Sequence, residues 1–373
     1  MKQIKVLHLV PGLASGGISS VLLNYYKHMD KGKVHFDFAV FMTELGNSAE
    51  AFRRMGSEIH ILPQKSKDMS EYKKQLMKII REGEYDVVHA HQNYQSFIPL
   101  RYAKKCGIKV RIAHAHSTVI DKVNFVKKLL FVISRAVNCF YVTDYFACGI
   151  DAGRAMFGSA MNRKNARVLK NAVSNEKFVF SQEIRERVRN EMGWQDKTVI
   201  GNIGRLSQQK NQLFLIKIFN EISKFDDNAI LCICGEGEDR GKIAALIEEL
   251  KLKDKVQLLG NRDDVAELMN GFDVFLLPSL FEGLPVTGIE ALTNGIPCVM
   301  SDTITREFDE YNKIKFLPLE SPPSEWAKVV VEVAMQGHNA DIAYMMKDAG
   351  YDILDAAKDL ELYYIDKVLK NGK

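Results

Sequence analysis

Residues 281–295 read FEGLPVTGIEALTNG. They follow DVFLLP (273–278), a short apolar run that reads as a buried strand. The stretch then opens a helix: Pro285 suits a first turn, and Gly295 after Asn294 suits a stop. A strand that feeds a helix through a glycine turn is the repeating unit of a parallel sheet. Ser279 and Glu282 have the spacing of a capping box, which predicts Glu282 outside the helix and Glu290 two turns inside it.

The same unit recurs outward in both directions. Upstream, IKVLHLV precedes a helical pattern at 18–30, VHFDFAVF one at 48–55, SEIHIL one at 69–82, DVVHA one at 94–105, KVRIAHA one at 122–139 and DYFACG one at 150–157. After VLKNAVSNEKF (168–178), rich in turn formers, and a helical pattern at 181–192, the alternation restarts. TVIGNIG then leads to 210–224, AILCICG to 239–250, KVQLLG to 263–270, DVFLLP to 285–294, and IPCVMS follows. Strands with helices between them predict an α/β fold of two Rossmann-like, doubly wound parallel sheets. The expected domains are 1–175 and 176–352, and an amphipathic helix near 353–370 is expected to pack back on the first.

A chain of 373 residues with 46% hydrophobic composition can bury two cores. No apolar run reaches the roughly 18 residues of a membrane span, and the N-terminus lacks a signal-peptide pattern. The six cysteines show no C-x-x-C pair, which points to reduced thiols and a cytoplasmic protein. Charge is divided: residues 1–175 carry 27 Lys and Arg against 13 Asp and Glu, whereas the rest carry 24 against 34. A basic first half suits an anionic membrane, a nucleic acid or a phosphorylated substrate.

In open parallel sheets, ligands bind where strand ends lead into helix N-termini with free N–H groups. Four such loops stand out. PGLASGGISS (11–20) offers Gly16 and Gly17 for close backbone approach to a phosphate, without the G-x-G-x-x-G spacing of a dinucleotide site. GRLSQQKNQ (204–212) carries Arg205 and Lys210, a fork and a point charge suited to a diphosphate. CGEGEDRG (234–241) is a tight turn one residue too long for a dinucleotide fingerprint, and Arg262 opens the loop after it. In FEGLPVTGIE, bare N–H groups near Gly283 and Leu284 suit an anion. The flanking acids Glu282 and Glu290 would repel that anion unless they accept from the hydroxyls of a sugar and a ribose. The histidines of HAH (89–91) and HAH (114–116) sit at strand ends; without a nearby acid or cysteine they are expected to hydrogen-bond rather than hold a metal, with His116 in the cleft.

Taken in order, PGLASGGISSVLLN, AHAHS, VLKNAV, GRLSQQKN, CGEGE, LLG and FEGLPVTGIEALTNGIPCVMSD resemble glycosyltransferase family 4 over about residues 4–305. These are retaining enzymes of the GT-B fold, and the likeness is to capsular and exopolysaccharide members. The resemblance implies a metal-free, cofactor-free transfer from a nucleotide-sugar, a UDP-sugar above all, to a glycan or lipid-linked glycan. It implies that Gly16 and Gly17 line the cleft and that Arg205 and Lys210 hold the diphosphate. Arg262 would lie by the nucleobase, and Glu282 would bind sugar hydroxyls. The N–H groups from Gly283 and Leu284 through Val286 and Thr287 would take the phosphates, Glu290 the ribose, and His116 would sit under the sugar. Catalytic roles fall on His116, Glu282, Arg205 and Lys210. TITRE (303–307) and Thr287-Gly288 depart from the pattern and bear on sugar identity. Alternatives are a nucleotide-sugar epimerase of the same fold, an NAD-dependent oxidoreductase and a non-catalytic nucleotide-binding module.

DKVNFVKKLLFVISRAV (121–137) places Lys122, Lys127, Lys128 and Arg135 around an apolar face. Arg101, Lys104, Lys105, Lys109 and Arg111 precede it. This surface is expected to rest on the anionic inner leaflet and to admit a lipid-diphosphate-linked acceptor, with no nucleic-acid role.

Overall fold

The computed structural model describes residues 2–13, 17–42, 45–117 and 125–372, the side chains of residues 125–130 and 372 excepted. It divides into two compact units, Met1–Ala172 with Ile353–Lys373, and Val173–Asp352.

The first unit is a seven-stranded, all-parallel sheet. Its strands are β1 (Ile4–Val10), β2 (Val34–Val40), β3 (Ile59–Ile61), β4 (Val87–Ala90), β5 (Val110–Ala115), β6 (Asp144–Ala147) and β7 (Ala166–Val168), in the order β3-β2-β1-β4-β5-β6-β7. Helices α1 (Gly17–Lys27), α2 (Asn47–Arg54), α3 (Met69–Glu82), α4 (Phe97–Lys105), α5 (Phe125–Tyr141) and α6 (Ile150–Phe157) connect them. Parallel pairing needs such crossovers, and they bury both sheet faces. Hence β4 and β6 are buried at every residue.

The second unit has six strands, β8 (Thr198–Ile203), β9 (Ala229–Cys234), β10 (Val256–Gly260), β11 (Val274–Leu277), β12 (Cys298–Ser301) and β13 (Ile314–Leu317), ordered β10-β9-β8-β11-β12-β13. Around them lie α7 (Asn175–Phe178), α8 (Gln182–Met192), α9 (Gln212–Ile222), α10 (Arg240–Glu249), α11 (Val265–Gly271), α12 (Val286–Asn294), α13 (Pro323–Ala334) and α14 (Asp341–Met346). The strand order reverses between β1 and β4 in one sheet and between β8 and β11 in the other. A reversal of this kind opens a crevice at the carboxyl ends of the two central strands.

The last helix, α15 (Ile353–Gly372), packs on β1, β2 and β5 of the first unit. Its Tyr364 is fully buried, edge-on to Phe36 and hydrogen-bonded through its hydroxyl to His89 Nδ1 at 2.7 Å.

Strands β7 and β13 and helices α13 and α14 have no counterpart in the sequence reading. The two strands are edge strands of three and four residues, too short to show a period. Helix α12 corrects the reading of the opening motif. Pro285 is its N-cap and no side chain caps it; Glu290 is therefore the fifth helical residue, little more than one turn in.

Arg185 and Arg189 of α8 both reach Asp273, which also accepts from the Val199 N–H at 2.8 Å, so the helix is fastened to the start of β8. Beside this clamp Gly201 has no room for a side chain: a Cβ there would lie 2.0 Å from the buried Phe272 ring. Gly201→Ala is expected to destabilise the chain by about 1–3 kcal/mol through overpacking, read as a lower urea midpoint. Pairing it with Phe272→Leu should restore part of the loss.

Candidate functional site

Three loops at the carboxyl edge of the second sheet meet on their own backbones. Gly204 N–H donates to Cys234 O at 3.0 Å, Leu206 N–H to Glu236 O at 3.0 Å, and Gly235 N–H to Gly260 O at 2.7 Å. A Cβ on Gly235 would lie 2.0 Å from Gly204 O, and Gly235 holds φ +138. The glycines of CGEGE are thus required by close packing of one loop on the next, a role that their spacing alone does not reveal.

The loop after β8 docks on the loop after β11. Asn211 adopts φ 58, the left-handed region that Asn tolerates, and its amide donates to Pro278 O at 3.1 Å. Leu280 N–H donates to Gln209 O at 2.8 Å, and Gln209 Nε2 donates to Phe281 O at 3.0 Å. This docking carries the Lys210 ammonium to Glu282 Oε1 at 2.6 Å, with both side chains largely buried.

Glu282 is held from three sides. Ser279 Oγ donates to its Oε1 at 2.9 Å, and Gln209 Nε2 approaches Oε2 at 3.4 Å. Its backbone bridges Ile304. Ser279 therefore serves the carboxylate itself; the capping-box reading of Ser279 and Glu282 is corrected, because both precede the helix by several residues. Thr303 Oγ1 donates to Ser279 O at 2.9 Å, so TITRE lies directly beside Glu282.

Downstream, Leu284 is buried and Gly283, Val286 and Thr287 are half-buried. The first intrahelical bonds of α12 run from Gly288 and Ile289 to Pro285 O, both at 3.1 Å. The N–H groups of Val286 and Thr287 precede them and have no intrahelical acceptor. Glu290 keeps an exposed edge, yet burial raises its carboxyl to about 7, against the pull of Lys177 and Lys210. It is not the solvated glutamate that a helix surface ordinarily carries.

Two predicted cations stand apart from the pair. Arg205 is exposed, and its Nε donates to Glu238 Oε2 at 3.0 Å. Arg262 closes a two-bond fork on Asp264, with Nε to Oδ1 at 2.8 Å. In the first unit Gly17 begins α1 with open space beyond its Cα. Gly16, Lys122 and the side chains of Lys127 and Lys128 lie outside the described residues.

His116 belongs to a larger group that the sequence shows only as two H-x-H pairs. His8, His89, His91, His114 and His116 stack across β1, β4 and β5, with His8 Nδ1 2.9 Å from His91 Nε2 and His91 Nδ1 2.7 Å from His116 Nε2. Burial holds all five well below the usual imidazole range, His8 and His116 at about 3.

Residues 15–147 match the family described as Glycosyltransferase Family 4, and residues 184–313 the one described as Glycosyl transferases group 1. The chain is 31% identical over 358 residues to the putative glycosyltransferase EpsF of Bacillus subtilis (strain 168), covering 94% of this chain and 93% of that one. The chain belongs to glycosyltransferase family 4. It is also 23% identical over 377 residues to the capsular polysaccharide biosynthesis glycosyltransferase CapH of Staphylococcus aureus, covering 98% and 100% of the two chains. Among solved structures, Anabaena Alr3699/HepE in complex with UDP-glucose superimposes with a TM-score of 0.79 at 17% identity, over 98% of this chain and 100% of that one. The fold is that of the GT-B glycosyltransferases.

The Lys210–Glu282 pair sets a stability test. Lys210→Met leaves a buried carboxylate without its cation and is expected to cost about 3 kcal/mol. Lys210→Met with Glu282→Gln should cost clearly less than the sum of the two single changes in urea unfolding. Additive effects would mean that the two side chains do not share one buried contact.

Proposed function

We propose that this glycosyltransferase moves a sugar, with retention of configuration and without a metal at the diphosphate, from a UDP-sugar to a glycan or lipid-diphosphate-linked glycan of the cell surface. The observation that carries the reading is the buried Lys210–Glu282 pair beside the start of α12. It sets a carboxylate, a cation and helix N–H groups without an intrahelical acceptor close together, which are the three partners that a sugar joined to a diphosphate needs.

In this reading Glu282 accepts from donor-sugar hydroxyls. Lys210 uses one of its three N–H donors on Glu282 and offers the others to the diphosphate. Arg205, freed from Glu238, joins it. Breaking the bond between the anomeric carbon and the diphosphate oxygen leaves negative charge on that oxygen, and the fixed cations with the N–H groups of Gly283, Leu284, Val286 and Thr287 stabilise it as it forms. The acceptor hydroxyl attacks from the same face and passes its proton to the departing diphosphate. Glu290 takes the ribose, Arg262 lies by the base, and the first unit with His116 serves the acceptor. UDP is the favoured nucleotide because the structural relative was solved with UDP-glucose.

Membrane contact is read from α5. Val132, Ile133 and Phe140 are exposed at 61%, 47% and 67%, and Lys104 lies at the carbonyl of Phe140 at 3.0 Å. An apolar strip with the Lys104 ammonium at its edge suits an anionic leaflet. Arg135 and Arg111 are turned elsewhere: Arg135 lies over the Phe131 ring, and Arg111 Nε donates to Tyr141 O at 2.7 Å. Among the described residues no helix is long and apolar enough to cross a membrane.

Release of UDP from UDP-glucose and other UDP-sugars, followed with a glycan acceptor, tests the activity. Glu282→Ala should lower turnover by about 100-fold, and wild-type rates in Glu282→Ala and Lys210→Ala would refute the site. Glu290 adds a pH dependence. Its free-state value of about 7 means that ribose hydroxyls, which favour the carboxylate, displace a proton below pH 7. UDP-glucose affinity should therefore rise with pH up to about 7 and then level off, and Glu290→Gln should flatten the curve in calorimetric titrations. Native Glu290 also holds its proton more tightly than the unfolded chain, so its contribution to stability falls as pH climbs from the ordinary carboxylate range to about 7.

For the membrane surface, sedimentation with phosphatidylglycerol vesicles at low salt should exceed that with neutral vesicles. Val132→Ser with Phe140→Ser should weaken it, and equal sedimentation with both vesicle types would end the idea.

A further inference from the structure

The five stacked histidines of the first unit are more than the proposed transfer reaction uses. His91, His114 and His116 each present one ring nitrogen, and these three atoms lie within 4.8 Å of one another. His91 and His116 already bring one nitrogen each into contact, His91 Nδ1 at 2.7 Å from His116 Nε2. The third follows from the hydrogen bonding of His114. Its Nδ1 is engaged with His89 Nε2 at 3.1 Å, whereas its Nε2 is buried with no hydrogen-bond partner.

The far nitrogens are engaged in turn. His91 Nε2 meets His8 Nδ1 at 2.9 Å, and His114 Nδ1 meets His89, whose own Nδ1 meets the Tyr364 hydroxyl at 2.7 Å. Imidazoles that bind a metal donate their other N–H to an acceptor, which fixes ring and tautomer. With His8 and His89 as those acceptors, the donation leaves lone pairs on His91 Nδ1 and His114 Nε2. The proton shared by His91 and His116 then moves to His116 Nδ1, so three neutral ligands form with no proton released.

We propose that His91, His114 and His116 form a site for one late first-row divalent ion, zinc above all, in the first unit. Metal–nitrogen bonds of about 2.0–2.1 Å set tetrahedral ligand atoms roughly 3.3 Å apart, so the His91–His116 contact opens by about half an ångström. All-imidazole donors select zinc, cobalt, nickel or copper and reject magnesium. The other three-histidine group, His8, His89 and His91, is buried throughout, whereas His116 is half-exposed. The proposed set is therefore the one with a residue reached by solvent, and three ligands leave a fourth tetrahedral position for water or an anionic oxygen. The site goes beyond the transfer reaction: it shares His116 with the acceptor side proposed above and uses none of the groups assigned to the diphosphate.

The test reads metal rather than sugar transfer, so its failure and the failure of the enzymatic reading are separable. Tag-free full-length protein is dialysed against excess Zn²⁺ or Co²⁺, then freed of unbound ion, and the bound metal is counted. The expected result is one ion per chain, a tetrahedral-type visible Co²⁺ spectrum, a rise in melting temperature with Zn²⁺ and no response to Mg²⁺. His114→Asn and His91→Asn should each lower retained metal by at least tenfold. His28→Asn, at a side chain bonded only to Asn24 O, should retain it. Less than a tenth of an ion on the wild-type chain, or undiminished binding by folded His114→Asn, overturns the proposal. Should a variant fail to fold, X-ray absorption of the wild-type complex still decides. A shell of nitrogen and oxygen with imidazole scattering supports the site, and sulfur in the shell assigns the metal to cysteines and overturns it.

Discussion

The second unit depends on one buried ion pair. Lys210 and Glu282 belong to loops after different strands, separated by 71 intervening residues, and their contact at 2.6 Å exists only because those loops dock backbone to backbone. Burying either charge alone would cost several kcal/mol, whereas together, with Ser279 and Gln209 adding donors, the carboxylate is compensated. The pair thus ties the strand-end geometry to the chemistry. A loop shift that spoiled the site would also leave a charge buried without its partner.

The same economy runs through the glycines. Gly235 and Gly237 let the loop after β9 press on the carbonyls of Gly204 and Leu206, which fixes the path leading to Lys210. Read as a sequence, CGEGE resembles a nucleotide fingerprint with the wrong spacing. In the structure its glycines serve chain-to-chain contact, and its Glu238 takes up Arg205. Arg205 is thereby held outside the buried pair, so the two cations of one loop differ in burial and in partner.

The first unit presents the opposite case, a polar group at the heart of a parallel sheet. Five imidazoles at strand ends are tolerated because each is neutral and most of their nitrogens are bonded to a neighbouring ring or to Tyr364. Helix α15 supplies that tyrosine from the far end of the chain, so the C-terminal segment completes the first unit both by packing and by polar satisfaction.

The sequence by itself determined the class of fold, the restart of the βα pattern, the family and the positions of most strands and helices. These follow from local periodicity, glycine and proline chemistry and contiguous motifs, all of which survive without tertiary information. Edge strands β7 and β13 and helices α13 and α14 were not legible, since they are short or lack a flanking motif. Tertiary structure alone decided which side chains meet. It paired Lys210 with Glu282, drew Ser279 away from helix capping, set Arg205 on Glu238, half-buried Glu290 and gathered five histidines from three strands into one stack. The physical reason is that hydrogen bonds and ion pairs across loops depend on strand order and close packing, which no spacing along the chain encodes.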